Sequence, residues 1–313
     1  MSTPPFSSPN KVPRPIVGLL AILAFTSFVT VLNETALSVA LPALMREFDV
    51  DAGTVQWLTT GYILVLAVVI PTTGYLMQRF SLRALWMVSI CVFVVGSVAA
   101  ALSVSFTTML VARVLQAAGN AAVMPLLATT ALSKVHPSRL GTVMGTNAVV
   151  LAAGPALGPT VAGLILGVWG WREIFWIMAG LAAVLFVLGI RAMLNQGTAR
   201  ATGRDEAAPP LDLPSVGLTV LGFGGIVYAL AGIEAVLDGA WIAPTVAAVV
   251  GISAVVIFCL RQLRLAPRGL ALLNLNALVT SGYRNAVIGI GASFAILVGQ
   301  AVVLSLVFQN GYG

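Results

Sequence analysis

The stretch "PIVGLLAILAFTSFVTVLNETALSVALP", residues 15–42, runs for 28 residues with one charged side chain, Glu34. About 20 apolar residues carry a helix across the hydrocarbon core of a bilayer, so this stretch is long enough to span it. In that solvent a charged side chain costs at least about 2.5–3.5 kcal/mol. The stretch therefore reads as a membrane helix that keeps one expensive acid. Lys11 and Arg14 precede it, and "SVA" at 38–40 imitates a signal-peptide cleavage site. The apolar run from Ile16 to Leu32 nevertheless exceeds the roughly 7–15 residue core of a signal peptide, so the helix is read as retained.

The rest of the chain is built the same way. Of 313 residues, 59% are hydrophobic and 8% charged, and the mean hydropathy is +1.03. Soluble domains carry about 25% charged residues, so this chain lacks the polar surface that water requires. Span-sized segments fall near 15–42, 54–77, 84–104, 107–131, 140–168, 172–194, 214–234, 241–260 and 285–308. The expectation is an all-α membrane protein with nine predicted transmembrane helices, mostly antiparallel because their connections are short.

Charge placement orients the bundle. With the N-terminus in the cytoplasm, 13 of the 16 lysines and arginines fall on the cytoplasmic side, from Lys11 and Arg14 through Arg79, Arg83, Lys134, Arg139 and Arg191 to Arg284. The outer connections hold Arg46 and Arg172 beside Glu47, Asp49, Asp51 and Glu173. This is the positive-inside pattern, and it accounts for the net charge of +6 without a nucleic-acid partner. Residues 1–14 read as a cytoplasmic tail, 15–194 as six helices, 195–213 as a polar cytoplasmic linker and 214–260 as two further helices. Residues 261–313 read as the incomplete start of another helical unit.

Several chemistries find no support. There is no Walker loop, so ATP is not the evident energy source. No metal-spaced cluster and no nucleophile in a triad context is present, so the protein is read as not an enzyme, with no cofactor. Cys91 and Cys259 are expected to be buried small apolar residues, and His136 a loop residue.

Three features carry chemistry. Glu34 can exchange protons or attract a cation, as desolvated carboxylates do. Arg113, expected in the cytoplasmic-to-middle part of helix 4, is read equally as a structural or a functional charge. Gln116 and Asn120 extend it into a polar stripe on one face, which fits either a cavity lining or helix–helix hydrogen bonding. On helix 5, Gly154, Gly158 and Ala162 recur every four residues and form a smooth face for a close neighbour. Pro155 and Pro159 each remove a backbone hydrogen bond and shape that helix.

Taken in order, these motifs resemble the major facilitator superfamily, in particular its fourteen-helix drug:proton antiporter branch. "LNETALSVALP" resembles the first-helix motif through Leu32, Thr35, Ala40, Leu41 and Pro42. Asn33 stands where an aspartate is usual and Glu34 supplies the acid one residue later, a variant similar to that of lincomycin exporters. "GYLMQRFSLR" resembles the loop 2–3 signature through Gly74, Arg79 and Arg83, with Gln78 in place of its aspartate. "ARVLQAAGNAA" resembles the helix-4 motif through Arg113, Gln116 and Gly119. "GPALGPTVAG" resembles the antiporter motif through Gly154, Gly158, Pro159 and Gly163.

The resemblance implies a helical bundle with nine of fourteen expected helices present, the chain being a fragment or shortened at its C-terminus. It also implies a multi-pass protein of the cell membrane that exports small amphipathic or drug-like compounds in exchange for protons. Glu34 and Arg113 would couple transport to the proton gradient, and Asn33, Gln116 and Asn120 would line the cavity. The expected partners are a small-molecule substrate and the lipid bilayer, with no obligate protein partner. A metabolite uptake transporter of the same superfamily and a transport-inactive paralogue are the alternatives.

Overall fold

The computed structural model describes residues 12–194, 212–232, 241–268, 270–273, 275–293 and 296. Its helices are α1 (Arg14–Phe48), α2 (Ala52–Arg79), α3 (Leu82–Ala101), α4 (Phe106–Asn120), α5 (Val123–Lys134), α6 (Pro137–Val168), α7 (Trp171–Leu194), α8 (Leu213–Ala231) and α9 (Ile242–Leu265). A further helix, α10, covers 281–293. Helix is the open form available to a backbone that must satisfy its own hydrogen bonds in lipid. Where the chain returns to water, polar residues start the next helix. Asp51 accepts from the Thr54 N–H at 2.6 Å, Ser81 from Ala84 at 3.2 Å, and Ser105 and Thr108 form a capping box. The tight α6–α7 connection turns on Gly170 at φ 124°, a conformation side chains resist.

Eight helices among the described residues are long and apolar enough to cross a membrane, counting α4 and α5 as one span. The ninth expected span, 285–308, is helical to 293, and most of its remainder lies outside the described residues. The linker 195–211 also lies outside them, whereas Asp212 and Leu213 already begin α8. One expectation needs correction. The segment 107–131 is two helices, broken at Ala121 and Ala122. The cause is Pro125, which has no N–H for the Ala121 carbonyl and sets its ring against it.

Packing confirms the alternation of direction. Gly96 of α3 approaches Gln116 of α4 while Gly119 approaches Ser89 and Phe93, so these helices are antiparallel. Gly154 and Gly158 of α6 meet Val31 and Thr35 of α1 in parallel register, as the first and fifth spans must. Two apolar clusters form the core. One gathers Leu19, Leu23, Trp86, Phe93, Leu126 and Met178, and the other Leu37, Leu44, Leu58, Met109, Ile174 and Phe175. Cys91 is a second correction. It is exposed, on the same outward stripe of α3 as Val88 and Val95, where lipid rather than protein covers a small apolar side chain.

Helices α8 and α9 pack through Gly222, Gly225 and Gly251, and a polar clip closes one end. The Arg261 guanidinium donates to both Asp212 carboxylate oxygens at 2.9 and 2.7 Å. Ser215 also donates to Asp212, Gln262 donates to Ser215 at 2.7 Å, and the Leu273 N–H donates to Gln262 at 3.1 Å. The Arg261 bonds hold the Asp212 carboxyl below its ordinary range, with burial opposing and Ser215 assisting. A depressed acid contributes stability above its unfolded pKa and loses it as pH falls through its folded one. Hydrogen-exchange protection of the Val216 amide, which donates to the Asp212 carbonyl at 3.2 Å, should therefore hold at neutral pH and fall below the ordinary aspartate range. Asp212→Asn should lower it at neutral pH by a few-fold at most, since solvent screens a charge pair at a partly exposed site.

Candidate functional site

The two apolar clusters leave a gap at one level of the bundle. Along α1 the first ends at Leu32 and the second begins at Ala36. Asn33, Glu34 and Thr35 fall between them. At the same level α4 presents Arg113, Gln116 and Asn120, and α3 presents Ser97. This layer holds the buried arginine together with the buried amides Asn33, Gln116 and Asn120.

Arg113 is fully buried. Its Nε donates to the Leu58 carbonyl of α2 at 3.2 Å and Nη1 donates to Gln116 Oε1 at 2.8 Å. The guanidinium carbon stands 4.1 Å from the centre of the Tyr62 ring, a cation–π contact. Gln116 passes the chain on by donating to Ser97 Oγ at 2.8 Å, and Asn120 donates to the Tyr62 hydroxyl at 3.0 Å. Polar residues at 113, 116 and 120 share one helix face, so a single stripe of α4 binds both α2 and α3.

The position of Arg113 corrects one expectation. It lies in the half of the α4–α5 span near Phe106, level with Leu58 at the start of α2, and not toward Lys134. That is the half of the bundle in which α1 carries Glu34.

This layer is incompletely satisfied. Asn33 is 1% exposed, yet neither its Oδ1 nor its Nδ2 has a hydrogen-bond partner, and Arg113 Nη2 and Thr59 Oγ1 also lack one. Each such group costs about 1–3 kcal/mol. Glu34 is half-buried and interacts electrostatically with Arg113. No ion pair joins Glu34 to Arg113, so the two influence each other without touching. Among the described residues no three His, Cys, Asp or Glu side chains gather to hold a metal ion.

The other motif residues separate into roles. Gly154, Gly158 and Ala162 of α6 are buried, and a Cβ on Gly158 would sit on Thr35 Oγ1. The Thr35 hydroxyl also reaches the Gly154 carbonyl at 3.4 Å. Pro155, Pro159 and Gly163 face outward on the same helix. In the α2–α3 connection, Gln78 donates back to the Gly74 carbonyl at 3.2 Å and Arg79 to the Tyr75 hydroxyl at 3.0 Å. Arg83 lies in the first turn of α3. Gly74 lies close to the Leu272 carbonyl, so the segment after α9 rests on this motif.

Sequence reasoning missed Tyr62, Ser97 and Gly96. Tyr62 and Ser97 are polar side chains in otherwise apolar helices, the signal that marked Gln116. Gly96 reads as an ordinary glycine until Gln116 is seen lying against it.

Residues 23–312 match the Major Facilitator Superfamily. The chain is 35% identical over 295 residues to an uncharacterized MFS-type transporter, YcnB, of Bacillus subtilis, covering 93% of this chain and 60% of that protein. It is 34% identical over 298 residues to the lincomycin resistance protein LmrB of Bacillus subtilis, covering 95% of this chain and 60% of that protein. A multidrug resistance protein B homolog of Mycobacterium tuberculosis is 30% identical over 218 residues, covering 70% of this chain and 40% of its own length. The chain thus spans about 60% of the length of the first two relatives.

Proposed function

The chain belongs to the Major Facilitator Superfamily, and from that premise we propose that it serves proton-coupled antiport, exporting small amphipathic, drug-like compounds. It is a multi-pass membrane protein, placed in this reading in the cytoplasmic membrane with its N-terminus inside. The observation that carries the proposal is the unsatisfied polar layer. A carboxylate on α1 faces the field of a fully buried arginine on α4, and Asn33 and Arg113 Nη2 between the apolar clusters have no partners. A fold that needed these groups for stability alone would pair them. Leaving them open suits a site whose partners arrive with a proton, water or substrate in another state of the transport cycle.

In this mechanism Glu34 takes a proton from one side and releases it when substrate or the Arg113 field favours the carboxylate. Arg113 is the fixed charge that sets that balance, held in place by Leu58, Gln116 and Tyr62. The drug-resistance names of two relatives support a drug-like cargo. The proton gradient is the energy source, and no cofactor takes part.

The test is transport of ethidium in membrane vesicles carrying the protein, with and without collapse of the pH gradient. Wild type should move ethidium only while the gradient stands. Glu34→Gln, at equal protein content, should fall to the level of vesicles lacking the protein. Undiminished gradient-driven transport by Glu34→Gln would remove Glu34 from the mechanism.

A further inference from the structure

A second polar vacancy lies outside this layer. Between the N-terminal parts of α1 and α6 is a cavity of about 280 Å³. Its walls include Ala21 and Phe25 of α1 and Thr142, Val143, Thr146 and Asn147 of α6. Val17 and Phe25, each about half exposed, form its rim, so it opens sideways from the bundle.

Asn147 sets the chemistry. It is 8% exposed, and its Nδ2 is buried without a hydrogen-bond partner. The Thr146 hydroxyl has its proton committed to the Thr142 carbonyl one turn back at 2.9 Å, so it can only accept. Among the described residues no charged side chain lines the cavity, and its walls are otherwise almost wholly apolar. An unpaired NH2 group in such a wall is expensive, and α6 gains nothing from it as packing, since leucine would fill the same volume.

We propose that this cavity is a binding site for a compact, neutral, largely apolar molecule with one hydrogen-bonding oxygen, received by the Asn147 amide. A half-turn of the amide presents either its oxygen or its NH2 group, so a carbonyl or a hydroxyl is accepted. The lining among the described residues is apolar apart from Asn147 and two threonines, which favours a neutral ligand. The volume lies at the small end of the roughly 300–1,000 Å³ of ligand pockets, which fits a two-ring molecule and is too small for a two-chain lipid. The site lies at the ends of α1 and α6 remote from Glu34. It rests on this geometry and not on the direction or coupling of transport.

Benzophenone is a suitable probe, being neutral, two-ringed and carbonyl-bearing, and it inserts into nearby C–H bonds on irradiation. The purified protein in lipid nanodiscs would be irradiated with it and the adducts located by mass spectrometry. Labelling should saturate and concentrate on the segments 12–25 and 142–150. Asn147→Leu should raise the probe concentration for half-saturation about three- to tenfold, the usual worth of one hydrogen bond. Its thermal midpoint should not fall, because an unpaired amide has been removed. Ala21→Phe, filling the cavity from an exposed position, should abolish the saturable component. Labelling that never saturates and spreads over the lipid-facing stripes of all helices would overturn the proposal. So would equal half-saturation in wild type and Asn147→Leu.

Discussion

Gly119→Val should lose most of its folded protein from the membrane. A Cβ at this position would lie 2.6 Å from the Phe93 backbone nitrogen and 2.7 Å from the Ser89 carbonyl oxygen. Both obstacles belong to the backbone of α3, so no side chain can swing away. Gly96 makes the reciprocal contact, with its own Cβ position 2.7 Å from the Gln116 backbone nitrogen. The two helices would have to separate. In lipid no hydrophobic force holds them, and association depends on this close approach and on the bonds that follow it. Separation would also pull Gln116 from Ser97 and disturb the seat of Arg113. Overpacking a well-filled site costs about 1–3 kcal/mol, and the lost hydrogen bonds add to that. The measurement is the yield of monodisperse protein and its thermal midpoint. Gly163→Val, at a position with nothing within 4 Å, should match wild type. Equal midpoints for Gly119→Val and wild type would mean that α3 and α4 do not meet as described.

Arg113→Met should separate stability from function. Methionine keeps an unbranched apolar stem, shorter than that of arginine, and removes the charge. Arg113 is fully buried, and no ion pair to it is present among the described residues. It is held by a carbonyl, an amide and an aromatic face. Burying a charge without a counter-ion is costly, and replacing it with a packed apolar residue is often neutral or stabilising by about 1–4 kcal/mol. The Leu58 carbonyl and Gln116 lose a donor, which offsets part of that gain. The thermal midpoint should therefore stay level or rise, while gradient-driven ethidium transport falls to background. A midpoint that drops sharply together with transport would make Arg113 a structural residue.

Much of this architecture is visible in the chain without coordinates. Eight of the nine expected spans correspond to helices of spanning length, because length and hydropathy alone decide what a bilayer accepts. The stripe of Arg113, Gln116 and Asn120 follows from helical periodicity, and the smooth face of Gly154, Gly158 and Ala162 from a four-residue repeat. The break before Val123 was legible in principle at Pro125, but hydropathy averages across it. Cys91 was misread because an apolar residue in a membrane helix faces protein or lipid with equal ease, so its polarity carries no direction.

By itself the sequence determined the all-helical membrane class, the order of the spans, the end of each span that carries positive charge, and the family resemblance. These are local properties, set by the affinity of each segment for lipid or water. The tertiary structure decided the rest. It set Arg113 against Leu58 and Tyr62 rather than against an acid, and it left Asn33 buried without a partner while Gln116 and Asn120 were satisfied. It also opened a cavity beside Asn147 where helical periodicity shows only another polar residue. The reason is that a buried polar group is defined by what stands opposite it. In a bundle whose helices all read as apolar rods, the residue opposite is set by close contacts between distant segments, such as Gly96 on Gln116 and Gly158 on Thr35.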